Sequence, residues 1–206
     1  MAVLMSGASE DQLTVDANNA ARITLYDSLG REISHQAKAT FSASGTFTPV
    51  ATPTDIIKIV GSASKIVRVI SVYLLTTNTA AGSQQFFLIR RNSDDTGGTF
   101  IAATPVPLDS IDNATATVGH YTANPVLGNS IGNVNIVRRA STVPAPGVFG
   151  TISHEPGGEM LPWGQNSIMD RFVTLRGTNQ ILAVNFAGAG LVTGQSQAYR
   201  ITWTEE

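Results

Sequence analysis

The ten residues "IVRVISVYLL", Ile66–Leu75, decide the fold class. They are too few to cross a bilayer and they carry Arg68, so they do not read as a membrane span. They lack the i, i+3, i+4, i+7 spacing of an amphipathic helix, and β-branched residues fill them. The stretch reads as a strand. Its apolar residues occupy both parities, which predicts a strand covered on both faces. One face meets the core, and the other meets an N-terminal arm or a neighbouring subunit.

The same signature recurs outward from this stretch. Short runs rich in Val, Ile, Thr and aromatics are bounded by Gly, Pro, Asn or Asp. Strands are expected at Ile56–Val60, Ile66–Leu75, Gln84–Arg91, Ala114–Thr122, Val134–Ala140, Arg171–Leu175, Gln180–Phe186 and Ser196–Thr204. Eight principal strands suit an all-β, jelly-roll-type β-sandwich, with an immunoglobulin-like sandwich as the alternative. The turns "GSAS" (Gly61–Ser64) and "RGTNQ" (Arg176–Gln180) make hairpins, and the long segment Ser141–Asp170 crosses over or decorates one end.

Upstream the pattern changes. Residues 1–20 are polar and show no strand pattern. "ARITLYDSLGREIS" (Ala21–Ser34) reads as a hairpin turning at "DSLG". "ATFSASGTFT" could be a second hairpin, and Pro49 and Pro53 mark a linker. Residues 1–50 are therefore expected to form an extended N-terminal arm with a β-hairpin, and residues 51–206 the sandwich. The start "MAVLMSGASEDQL" has neither a basic lead nor a long apolar run, so it does not read as a signal peptide.

Composition bounds the partners. Hydrophobic residues make up 42% of the chain and charged residues 14%, against about 25% charged in an average soluble domain. The polar surface must come from Ser, Thr, Asn, Gln and Gly, which suits a protein packed against neighbours. A net charge of −2 with only three lysines argues against nucleic acid as a partner. There is no cysteine, hence no disulfide, thiolate metal site or cysteine nucleophile. The ten arginines include the pairs Arg90–Arg91 and Arg138–Arg139. Their planar forks suit interfaces, and an ordinary surface role is the alternative.

Motifs for chemistry are missing. His35, His120 and His154 form no His-x-His pair, and "HEPGGE" (His154–Glu159) is not a zinc helix. Glu155 and Glu159 read as loop or interface residues. No Gly-x-Ser-x-Gly elbow and no phosphate loop occurs. A glycosidase pair could be picked from Asp109, Asp112, Glu155 and Glu159, but any β-rich chain offers such choices. Trp203 alternates with Ile201 and reads as a core or sheet-face residue. Trp163, in "LPWGQ", reads as an interface anchor or as loop packing. In "RRNSDDTGGTF" (Arg90–Phe100), Asp94 and Asp95 are adjacent, the wrong spacing for a calcium loop. With Gly97 and Gly98 they read as a turn, while Arg90 and Arg91, where strand meets rim, are expected to contact a neighbouring subunit. No cofactor or metal is implied.

Several phrases carry a resemblance: "GSASKIVRVISVYLLTTNTAAGSQQFFLIRRNSDDTGGT", "YTANPVLG", "EPGGEMLPWG", "VTLRGTNQILAVNFAG", "ITWTEE" and "VDANNAARITLYDSLGREI". Together they resemble small all-β virion-associated proteins of tailed bacteriophages. The resemblance implies a non-enzymatic structural component of the particle, above all a capsid decoration (cement) protein that binds the outer shell and stabilises it. Its implied partners are the major capsid protein or other virion proteins, with sister copies in a trimer and neither nucleic acid nor membrane. Its implied place is the virion, assembled in the host cytoplasm. The rival readings are a neck, tail or fibre component, and a carbohydrate- or receptor-binding sandwich module.

Overall fold

A computed structural model describes residues 39–49, 53–77, 82–108, 112–141, 173–187 and 195–206. Residues 1–38, with the hairpin expected at Ala21–Ser34, lie outside them. So do His35, Asp109, His154, Glu155, Glu159 and Trp163.

The described residues form strands and no helix. In chain order they are β1 (Ala39–Phe47), β2 (Thr54–Val60), β3 (Ile66–Thr77), β4 (Gly82–Arg91), β5 (Thr99–Ala102), β6 (Val106–Pro107), β7 (Thr117–Ala123), β8 (Ser130–Ser141), β9 (Val173–Arg176), β10 (Ile181–Phe186) and β11 (Ser196–Glu205). Each of the eight expected strands overlaps one of these. The strands make a five-stranded sheet, β6-β1-β11-β3-β9, and a six-stranded sheet, β5-β7-β2-β10-β4-β8. Every pairing is antiparallel. The sheets pack face to face as a β-sandwich. Phe41, Val67, Val69, Val72, Leu74, Ile201 and Trp203 of one sheet share a core with Ile57, Ile59, Phe86, Leu88, Val184 and Phe186 of the other.

Two sequence expectations change here. Ala39–Phe47 was assigned to the arm and to a possible hairpin, yet it is one nine-residue strand paired along its whole length with β11. The described sandwich therefore begins at Ala39, not at residue 51. Gly45 gave the stretch its turn-like look, but a Cβ there would lie 2.9 Å from the Tyr199 ring, so the glycine makes room for an aromatic neighbour.

The second change concerns Ile66–Leu75. Its inward residues are Val67 and Val69, then Val72 and Leu74. The register shifts between these pairs, leaving Ile70 unmatched between Val69↔Trp203 and Ser71↔Thr202. A β-bulge thus switches the parity of the core-facing set, and this explains the apolar residues at both parities. The opposite face, with Arg68, Tyr73 and Leu75, is half-buried.

The sheet edges differ in length. The five-stranded sheet ends in two residues of β6 and four of β9, and the six-stranded sheet in four of β5 and twelve of β8. Along β8, Val134 and Ile131 fall at register shifts against β4.

Candidate functional site

Strand β2 is buried at every position although it contains Asp55 and Lys58. The spacing of three would put these side chains on opposite faces of a regular strand. The register against β10 shifts at Ile56, where Asp55 faces Asn185 and Ile57 faces Val184. The bulge brings both charged residues to the outer face of the six-stranded sheet, away from the apolar core.

Arg91 of β4 joins them there. Its side chain is 4% exposed, and its Nε and Nη2 donate to the two carboxylate oxygens of Asp55 at 2.5 and 2.7 Å. Asn185 Nδ2 donates to Asp55 Oδ1 at 2.7 Å, and Arg91 Nη1 donates to the Gly128 carbonyl at 2.6 Å. Burial pulls the guanidinium down, but Asp55, helped by Asp95, holds it above its ordinary value. Such a forked, hydrogen-bonded pair is the form in which a buried charge is tolerated.

Lys58 Nζ lies 2.5 Å from Asp94 Oδ1 and faces two rings, 4.8 Å from the Phe100 centroid and 5.2 Å from that of Tyr121. Asp95 completes the cluster. Its Oδ1 accepts from the Gly128 amide at 2.8 Å and lies 3.8 Å from Arg91 Nε. Its Oδ2 is buried and accepts no hydrogen bond. Burial pushes the Asp95 carboxyl above its ordinary value, against the pull of the Gly128 amide, Lys58 and Arg91. Burial and the neighbouring carboxylates push the Tyr121 hydroxyl up as well.

The roof over this cluster consists of two turns laced together. Thr96 and Val126 exchange backbone hydrogen bonds of 2.9 and 2.8 Å, and Asn92 N donates to Asn129 O at 3.1 Å. Asn129 N donates to Ser93 Oγ at 2.7 Å. The contact is close enough that a Cβ on Gly128 would sit 2.1 Å from the Ser93 carbonyl oxygen. Outward, the roof presents Val126, 72% exposed, and Leu127, 39% exposed.

A third buried carboxylate lies outside this cluster. Glu205 ends β11, and its side chain is fully buried. It accepts from the Thr115 amide, the Thr115 hydroxyl at 2.6 Å, the Ala116 amide at 2.9 Å and Trp203 Nε1 at 2.9 Å. Burial raises a carboxyl, but here the donors from Thr115, Trp203 and Ala116 prevail and hold Glu205 below its ordinary value.

The expected site residues are scattered. Arg91 is spent inside the chain. Arg90 is half-buried, donates to Gln180 Oε1 at 3.1 Å and leaves its Nε without a partner. Arg138 and Arg139 lie on β8 opposite Gln85 and Gln84, across the sheet from the Asp55 cluster's β7 side. Trp203 is buried against Phe41, with ring centroids 5.7 Å apart. His120 stacks on Phe47 at 4.7 Å, and burial lowers its pKa. A shallow hollow of about 430 Å³ lies on the five-stranded sheet beside Tyr73, Leu75 and Arg200. Among the described residues no group of three His, Asp or Glu is arranged to hold a metal ion.

Sequence reasoning passed over Asp55, Lys58, Tyr121, Asn185 and Glu205. A signal was present for the first two, because two charges inside an otherwise apolar strand demand partners. With the geometry in place, comparison adds nothing to it: the chain matches no known family, no curated protein and no solved structure.

Proposed function

We propose that the sandwich is a jelly roll with an N-terminal arm, and that the chain is a non-enzymatic structural protein of a tailed-bacteriophage virion. Within the virion it acts as a capsid decoration protein. The observation that carries this reading is the strand order. Among β1 to β4 and β8 to β11, the sheets run β1-β11-β3-β9 and β2-β10-β4-β8. The first strand lies beside the last, and successive strands change sheets except at β4 and β8. This order supports a wrapping of two Greek keys, an arrangement common among viral capsid and lectin domains. The phrases that resemble phage virion proteins supply the rest.

The mechanism is adhesion. Each copy buries surface against the shell and against sister copies in a trimer, so opening the shell first breaks those contacts. At roughly 25 cal/mol per Å² of apolar area, a modest footprint repeated over a particle becomes a large barrier. The laced turns suit such a footprint, because Val126 and Leu127 are held out on a braced backbone and lose little freedom on docking.

A reconstruction of an intact particle carrying this chain tests the reading. Many copies spread over the icosahedral shell are expected. A single ring at one vertex would replace decoration with the neck, tail or fibre role, and absence from the particle would end the virion reading.

A further inference from the structure

The cluster beneath the two turns holds an unbalanced set of charges. Three carboxylates, Asp55, Asp94 and Asp95, face two cations, Lys58 and Arg91. Both cations are already committed. Arg91 gives two donors to Asp55 and a third to the Gly128 carbonyl. Lys58 lies against Asp94 between two aromatic rings. Asp95 accepts on Oδ1 from Gly128, lies 3.8 Å from the committed Arg91 Nε and faces the Tyr121 hydroxyl, and its side chain is 1% exposed. Its Oδ2 points into this interior with no donor. A buried carboxylate with one oxygen lacking a close donor is costly as an anion and far less so as a neutral acid.

We infer that this cluster is a proton-binding site: Asp95 takes up a proton, and its uptake tightens the two laced turns onto the outer face of the six-stranded sheet. Protonation leaves Oδ1 free to go on accepting from Gly128, so the link between the turns survives. It removes the third carboxylate charge, which shares an Arg91 already committed to Asp55. Every titratable or charged group facing Asp95 takes part in this balance: Asp55 and Lys58 from β2, Arg91 from β4, Asp94 from the same turn and Tyr121 from β7. Asn185 of β10 is neutral and committed to Asp55. The ligand is a proton, and the element it acts on is the turn pair that carries Val126 and Leu127.

The sign follows from linkage. Burial raises Asp95 above its ordinary value of 3.8. Between that value and the raised one, the folded chain holds a proton that the unfolded chain lacks. Stability from this group therefore grows as pH falls through the folded value.

Two measurements test the inference. The carboxyl carbon of Asp95 is followed by NMR in the wild-type chain from about pH 8 to about pH 4, a range that brackets the ordinary carboxylate and histidine values. The thermal midpoints of wild type and Asp95→Asn are compared over the same range, with hydrogen exchange at the Gly128 amide. The expected carbon titration lies above the ordinary Asp range. Wild type gains midpoint relative to Asp95→Asn as pH falls, and the Gly128 amide exchanges more slowly in wild type once intrinsic rates are removed. A carbon that titrates at or below the ordinary value overturns the inference, as does a midpoint difference that does not change with pH. Should Asp95→Asn fail to fold, the wild-type titration decides alone.

Discussion

Glu205 and Asp95 are both buried carboxylates that tie one segment of chain to another, yet their surroundings shift them in opposite directions. Glu205 stands in a ring of donors from Thr115, Ala116 and Trp203 and is held below its ordinary value. Asp95 has the Gly128 amide and a more distant Arg91 on one oxygen and no close donor on the other, and burial pushes it above its ordinary value. Burial is common to the two, so burial does not decide the outcome. The number of donors aimed at the ionised form decides it. The Glu205 site is a finished joint, and the Asp95 site is an adjustable one.

Four substitutions break or sharpen that contrast. The largest effect is expected at the pair beneath Asp95. Asp55→Ala strands the buried guanidinium of Arg91 and should cost about 3–5 kcal/mol in urea unfolding, while a double change of Asp55 and Arg91 to apolar residues should cost less. Glu205→Gln comes next. It removes the charge that four donors share and should cost about 1–3 kcal/mol at neutral pH. Because its folded value is depressed, wild-type Glu205 contributes stability above the ordinary carboxylate range and loses it as pH falls through the folded value. The gap between wild type and Glu205→Gln should therefore close in acid, as read from unfolding curves at several pH values.

Gly128→Ala follows. Its Cβ would collide with the Ser93 carbonyl, so the turns must part, at about 1–3 kcal/mol for an overpacked contact. Faster amide exchange at Thr96 and Val126, with β10 unchanged, would show that the damage is local. Val126→Ser should be the smallest, within about 0.5 kcal/mol, since the side chain is 72% exposed. If the proposed docking role holds, its effect appears in particle occupancy alone. An unchanged occupancy would remove Val126 from the footprint.

Much of the fold was legible because strand signals are local. Runs such as "ILAVNF" and "AYRITW" announce themselves between Gly, Asn and Gln, whatever their partners. β1 was hidden for a local reason too. Gly45 and the small residues around it look like a turn, and only the Tyr199 ring lying against that glycine explains them. The bulges at Ile56 and Ile70 were not legible, since a register shift is a property of two strands and not of one. That is also why the cluster escaped notice. Asp55 meets Arg91 across 36 residues and Asn185 across 130, and nothing near any of them in sequence names the others. "RRNSDDTGGTF" reads as a turn from its own residues. What it covers became visible only once β2, β4, β7 and β10 were side by side.

The unequal sheet edges have a consequence for how these molecules behave in a crowd. Among the described residues, three of the four edge strands span four residues or fewer, too short to template much. The fourth, β8, runs for twelve residues and exposes Ile131 and Ile136, the profile of a strand that recruits others. Its two register shifts interrupt the evenly spaced ladder that an incoming strand would need. These irregularities work against extension of the sheet at this edge. Under the proposed decoration role, which gathers copies at high local concentration, an edge that resists extension keeps their contacts to the intended ones.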